Sequence, residues 1–356
     1  MKVGIIGLPQ TGKKTLFQVL TGAAVSELGG QAKPVPGTAN IVDERFDVLV
    51  NMYQPKKETQ ARIDLVLLPK IEPETVAKGD IFQHIADVDA LCHVVRVFEN
   101  EAVYHAAGSV DPVRDVEMVS GELLMHDQIF VEKRIERLET ALKKIKDERQ
   151  TKELELMRRI QLHLEEEKPL RLMEFSADED LLTRSYPFIT RKEMILVFNV
   201  AEDETGSNAV LDRVSRHCEE QKMEAMVVSA QVESEIAQLD TDEEKLEFLA
   251  DLGITEPALQ ILTRLCLKAL GRMSFFTVGK DEVHQWLVRV GSSAPEAAGA
   301  IHSDLQKGFI RAEVMKYEEL IEFGSEAELK KRGKFYVQGK DYIVEEGDIL
   351  NIRFNL

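Results

Sequence analysis

Apolar residues follow two rhythms along this chain, and the change from one to the other divides it. Residues 3–6, 63–68 and 91–98 are short, near-continuous apolar runs, the pattern of strands buried on both faces of a mostly parallel sheet. After the first run, residues 7–12 read as a loop, and Leu16, Phe17, Val19 and Leu20 supply the apolar positions of a helix. The rhythm then changes. Residues 129–167 contain no glycine or proline, and Ile135, Leu138, Leu142 and Ile145 recur at three-four-three spacing, which predicts a narrow helical seam. Leu154, Met157 and Leu164 continue it beyond a polar stretch at 146–152, so the segment is either an antiparallel helical hairpin or one long solvated helix. Strand-like runs return at 194–198 and 225–229, with helix expected over 232–239 and within 243–270. From residue 274 the segments FIRAEV, KFYVQGKDYIV and DILNIRF are β-rich; Gln338-Gly339-Lys340 predicts a hairpin turn and Glu346-Gly347-Asp348 a tight turn. The expected architecture is an α/β domain in two parts, 1–125 and 190–273, split by an inserted helical coiled-coil arm at 126–189 and followed by an α+β module at 274–356.

Composition narrows the function. Forty-five Lys and Arg against 63 Asp and Glu give a formal charge of −18, which disfavours broad, non-specific attraction to nucleic acid. The apolar stretch in MKVGIIGLPQ is too brief for a signal peptide, and no run reaches the length of a membrane span, so a cytoplasmic protein without a membrane partner is expected. Cys92, Cys218 and Cys266 form no C-x-x-C pair, and the eight histidines show no H-E-x-x-H spacing. Neither a disulfide framework nor a metal centre held by the protein alone is indicated.

The chemistry lies in GLPQTGKKT at 7–15. Gly7, Gly12 and Lys13 meet the phosphate-loop pattern G-x-x-x-x-G-K-[ST], but Lys14 stands where a hydroxyl would ligate Mg²⁺. Backbone N–H groups of such a loop point inward at phosphate, and the following helix presents its positive end. The expected phosphate contacts run through Gln10, Thr11, Gly12, Lys13, Lys14 and Thr15, with Lys13 reaching the β and γ phosphates. Asp64 is the nearest candidate for the strand-end carboxylate on the metal side, or else a structural carboxylate. Three residues later Leu67 replaces the glycine that would sense the γ phosphate. Thr38 offers an alternative metal or γ-phosphate contact.

The chain resembles the YchF-type ATPases related to Obg. GLPQTGKKTLF is similar to that family's GLPNVGKSTLF, and HVVRVFENEAVYHAAGSVDP at 93–112, APEAAG at 294–299 and IHSDLQKGFIRAEV at 301–314 resemble family segments. The last two imply a TGS-like β-grasp domain. The resemblance implies that Asn199-Val200-Ala201-Glu202 is the base-recognition loop, its Glu favouring ATP while leaving GTP open, and that Ser229 frames the purine. It gives His105 a hydrolysis-assisting role. It further implies Mg²⁺ arriving with nucleotide, ribosome or RNA contact through the arm and the TGS-like domain, and a monomer. Lys14 and Leu67 depart from the family pattern on the metal and γ-phosphate side. Two functions follow: a weak ATPase or GTPase, or a nucleotide-binding scaffold without catalysis.

Overall fold

The computed structural model describes residues 1–23, 33–72, 75–76, 79–204, 209–254 and 256–355. Pro73, Glu74, Ala77 and Lys78 of the segment after the second apolar run lie outside the described residues. In chain order the strands are β1 (Lys2–Ile6), β2 (Val35–Asn40), β3 (Lys57–Thr59), β4 (Arg62–Leu67), β5 (Ala90–Arg96), β6 (Met194–Asn199), β7 (Glu224–Val228), β8 (Arg272–Thr277), β9 (Glu282–Arg289), β10 (Phe309–Met315), β11 (Tyr336–Gln338) and β12 (Ile349–Phe354). The helices that matter below are α1 (Lys13–Thr21), α2 (Glu44–Tyr53), α3 (Pro112–Leu142), α4 (Glu148–Glu165), α5 (Ala230–Ile236) and α6 (Ala294–Ile301). The chain forms two compact units, one of residues 1–38 and 64–262, the other of 39–63 and 263–356.

The first unit is built on the sheet β2-β4-β1-β5-β6-β7, in which β4, β1, β5, β6 and β7 pair in parallel. Every residue of β5 and β6 is buried, as the near-continuous apolar runs require, and Leu91, Val95, Leu196 and Phe198 share one core. α3 and α4 form the antiparallel hairpin rather than a single long helix, with the turn at 143–147 and Asp147 capping α4 through its bond from the Gln150 N–H. Leu138, Leu156, Met157, Ile160 and Leu164 fill the seam. Ile145, expected in that seam, lies in the turn and is 74% exposed. α3 begins at Pro112, ahead of the expected start of the arm, because Asp111 caps it and proline suits its first turn. At the base of the hairpin the buried Asp127 accepts from the Ile189 and Thr190 N–H groups at 3.1 and 2.9 Å and from the Thr190 hydroxyl at 2.7 Å, joining the two ends of the insertion.

The second unit carries the sheet β11-β10-β12-β8-β9-β3. β8 and β9 form an antiparallel hairpin, β12 returns parallel to β8, and α6 packs on the core of Phe275, Ala297, Ala312 and Leu350, which is the β-grasp arrangement. Two sequence expectations change here. The turn at 338–340 does not close a hairpin: β11 pairs with β10, and the DYIV segment is held instead by a backbone bridge of Ile343 to Ser293 and by Tyr342, whose hydroxyl donates to buried Asp348 at 2.7 Å and accepts from Lys316 at 2.9 Å. Residues 39–63, assigned by sequence to the first domain, belong by their contacts to this unit. Phe46 and Leu49 of α2 share a core with Phe276, Val283, Met315 and Leu320, and β3 extends the sheet alongside β9. Arg45 bonds both Asp43 and Glu346, and the Ala61 N–H donates to Gln285 at 3.1 Å. No helix among the described residues is long and apolar enough to cross a membrane.

Candidate nucleotide site

The phosphate loop leaves the C-terminal end of β1 and enters α1. Gly7 has φ 153°, and a Cβ there would lie 2.5 Å from the Val94 carbonyl oxygen; Gly12 has φ 87°, and a Cβ there would lie 2.1 Å from Asn199 Nδ2. Only glycine fits either position. Gln10 adopts φ 61° at the exposed tip, and the buried Thr11 hydroxyl donates to the Leu8 carbonyl at 3.2 Å.

Lys13 is folded back on its own loop. Its Nζ donates to the Gly7 and Leu8 carbonyls at 3.0 and 2.8 Å, and the side chain is buried. Burial, then repulsion from Lys14 and Lys70, lowers its pKa to about 7, with Glu72 acting weakly the other way. Carbonyl oxygens here occupy the ammonium that an incoming phosphate would take.

Asn199 ends β6 and ties two loops together. Its Nδ2 donates to the Thr11 carbonyl at 3.0 Å, and its Oδ1 accepts from the Ala230 N–H at 2.9 Å. The side-chain amide is therefore spent on backbone and holds the two loops together. Ser229 is buried, and its hydroxyl caps α5 by accepting from the Val232 N–H. The Val200 N–H joins β6 to the Val228 carbonyl, and the Val200 side chain enters the core. These loops enclose a cavity of about 410 Å³ walled by Gly12, Thr15, Phe98, Asn199, Glu202 and Gln231. The expected phosphate and base residues thus converge at one end of the sheet, within the size range of small-molecule sites.

The metal-side candidates do not. Register places Asp64 opposite Lys2, at the start of β1, whereas the phosphate loop leaves its other end beyond Ile5, which is opposite Leu67. Asp64 is exposed and lies 3.7 Å from the N-terminal ammonium. Near the loop, the strand end instead carries Leu67 and Leu68. Thr38 is exposed on β2, and a Cβ on its neighbour Gly37 would lie 2.7 Å from Thr21, at the far end of α1 from Lys13. Among the described residues, no group of three His, Cys, Asp or Glu side chains could hold a metal ion. These residues do not fit a Mg²⁺ ligated by the protein.

Sequence reasoning missed Lys70 and Glu72, an ion pair at 2.9 Å in a segment anchored by the bond from the Ile71 N–H to the Gly7 carbonyl at 3.3 Å. No motif marks them; only their position after a strand neighbouring β1 could have. His105 is held in place: its Nδ1 accepts from the Ala107 N–H at 3.1 Å, which leaves the proton on Nε2, facing Asp115 at 3.0 Å. Asp115 is itself bonded by Arg114, and buried Arg96 donates to the carbonyls of Phe98, Asn100, Val103 and Tyr104 along the same loop. In this arrangement neither ring nitrogen of His105 is free for water or phosphate.

The comparisons with known proteins agree along the whole chain. Residues 273–355 match the YchF-GTPase_C family model, described as a protein of unknown function (DUF933). A Bacillus subtilis protein named ribosome-binding ATPase YchF is 37% identical over 367 residues, covering all of both chains. A Haemophilus influenzae protein of the same name is 39% identical over 362 residues, covering 100% of this chain and 99% of the relative. Obg-like ATPase 1 of Caenorhabditis elegans is 36% identical over all of this chain and 92% of its own length. The solved structure of the Schizosaccharomyces pombe YchF GTPase superposes with a TM-score of 0.83 at 29% identity, over 99% of this chain and 97% of that one. With a phosphate loop, an arm and a β-grasp module in the expected order and relatives matched end to end, the chain belongs to the YchF family.

Proposed function

We propose that this protein binds a purine nucleotide, ATP in preference to GTP, and acts in association with ribosomes. The observation that carries the nucleotide reading is the Asn199 amide, which fastens the phosphate loop to the Ser229–Ala230 loop around the cavity. Glu202 on the cavity wall supports the ATP preference: its longer side chain displaces the carboxylate from the position where an aspartate pairs with both guanine N–H donors. The relatives named ribosome-binding ATPases support the partner. The basic run at 330–334 contributes little to it, because Lys330, Lys331 and Lys334 each pair with a glutamate and Arg332 stacks on Phe323. Hydrolysis is weak or lost, since Lys14 replaces the metal-binding hydroxyl, Asp64 stands at the far end of its strand, the carboxylate near the loop, Glu72, is paired with Lys70, and His105 is engaged by Asp115.

Pelleting of the full chain with ribosomes, without nucleotide and with ATP or ADP, tests the partner. Nucleotide-dependent co-sedimentation is expected, and none in any state refutes it. Competition of GTP against labelled ATP should show at least tenfold weaker GTP binding. Single-turnover ATP cleavage at rates typical of efficient ATPases would refute the weak-catalysis reading.

A further inference from the structure

A phosphate-loop protein ordinarily grips its nucleotide through a cation: a Ser or Thr hydroxyl after the loop lysine, and a carboxylate on the neighbouring strand, place Mg²⁺ against the β and γ phosphates. Both places are filled differently here. Lys14 takes the hydroxyl's position at the start of α1. Leu67 and Leu68 hold the strand end, fixed by the bond from the Leu68 N–H to the Ile5 carbonyl at 3.0 Å. Asp64 lies at the opposite end of the strand pair.

What replaces the missing ligands is positive charge. Past β4 the chain follows the phosphate loop, tied to Gly7 through Ile71, and this brings Lys70 to the same side. Lys14 and Lys70 both lie within electrostatic reach of Lys13, with Glu72 as the opposing carboxylate, already paired with Lys70. Ammonium groups repel a divalent cation, yet each offers three N–H donors to phosphate oxygens. Their mutual repulsion in the free protein is relieved by a polyanion.

On the reading of the phosphate loop as the nucleotide site, we propose that this chain takes its nucleotide as the metal-free polyphosphate, with Lys14 and Lys70 beside Lys13 filling the place of Mg²⁺ and its protein ligands. The ligand class is the free nucleoside di- or triphosphate, and the pyrophosphate group is the part recognised. Mg²⁺ in solution then acts chiefly by sequestering the ligand, because the magnesium complex carries its cation toward Lys14 and Lys70.

The test is titration of the full chain with ATP at pH 7 and constant ionic strength, once with excess EDTA and once with saturating Mg²⁺. Affinity in EDTA should equal or exceed that in Mg²⁺. A tenfold or greater loss on removing Mg²⁺ overturns the proposal while leaving the nucleotide site standing; absence of binding under both conditions overturns both. Lys70→Met and Lys14→Ser, each checked for an unchanged melting temperature, should weaken binding in EDTA by about tenfold or more, the worth of one charge-assisted hydrogen bond. Lys14→Ser should also make Mg²⁺ favourable. Parental affinity of both variants in EDTA overturns the assignment to these lysines.

Discussion

Lys13 ties nucleotide binding to protons. In the free protein its pKa is lowered to about 7, so roughly half of the molecules carry the ammonium at pH 7 and about one-tenth at pH 8. A bound phosphate draws the ammonium off the Gly7 and Leu8 carbonyls and stabilises its charge, raising the pKa toward the ordinary lysine range. The free-state value lies below the bound-state value, so binding takes up protons between the two and affinity falls as pH rises through that window. The expected loss is about fivefold from pH 7 to 8 and about tenfold from pH 8 to 9, near 1.4 kcal/mol per unit at the upper end, with little change below pH 6. At pH 8, about 0.9 proton enters per nucleotide bound. Calorimetry of ADP binding in buffers of different ionisation heat measures that uptake directly. Working at pH 7 and above keeps the terminal phosphate, with a second pKa of about 6, from contributing much. Uptake below about 0.2 proton at pH 8, together with constant affinity from pH 7 to 9, would refute the buried, self-bonded lysine.

Three further outcomes follow from the same geometry. Asn199→Ala leaves the Thr11 carbonyl and the Ala230 N–H unpaired, so urea unfolding should show a loss of roughly 2–4 kcal/mol, and ATP affinity should fall at least tenfold. Gly12→Ala places a methyl group against the Asn199 amide in a left-handed backbone; nucleotide binding should vanish while the far-ultraviolet circular dichroism stays unchanged. Asp127→Ala removes the acceptor for three donors at the base of the arm and should destabilise the first unit by roughly 3–5 kcal/mol in denaturant titration, with ATP affinity in the folded protein preserved.

Local features were legible where the sequence itself carries the constraint. The strand, glycine loop and helix at 3–21 follow from apolar runs and obligatory glycines, and the arm from its three-four spacing. The polar stretch at 146–152 overlaps the break at 143–147 only at its first two residues, and residues 148–152 open α4. What stayed hidden depends on partners distant in sequence. Phe46 and Leu49 give α2 an apolar face, but nothing local says that it packs on Phe276 and Val283. Likewise, alternation along β4 cannot reveal at which end of β1 Asp64 stands; only the register does. Lys70 belongs to no motif, and its nearness to Lys13 follows from the pairing of β4 with β1. KFYVQGKDYIV has the composition of a hairpin, but the backbone of DYIV bridges to Ser293, with the Ala294 N–H donating to the Tyr342 carbonyl and the Val344 N–H to the Ser292 carbonyl, instead of pairing with β11.

The most direct measurement is an equilibrium titration of the full chain with ATP at pH 7, run in parallel on Lys13→Met. Saturable binding of one ATP per chain, lost in the variant without loss of folded structure, is the predicted result. Failure of ATP, ADP, GTP and GDP alike to bind at millimolar concentration would contradict an occupied phosphate loop and reduce Gly7, Gly12 and Lys13 to the structural turn at the head of the sheet.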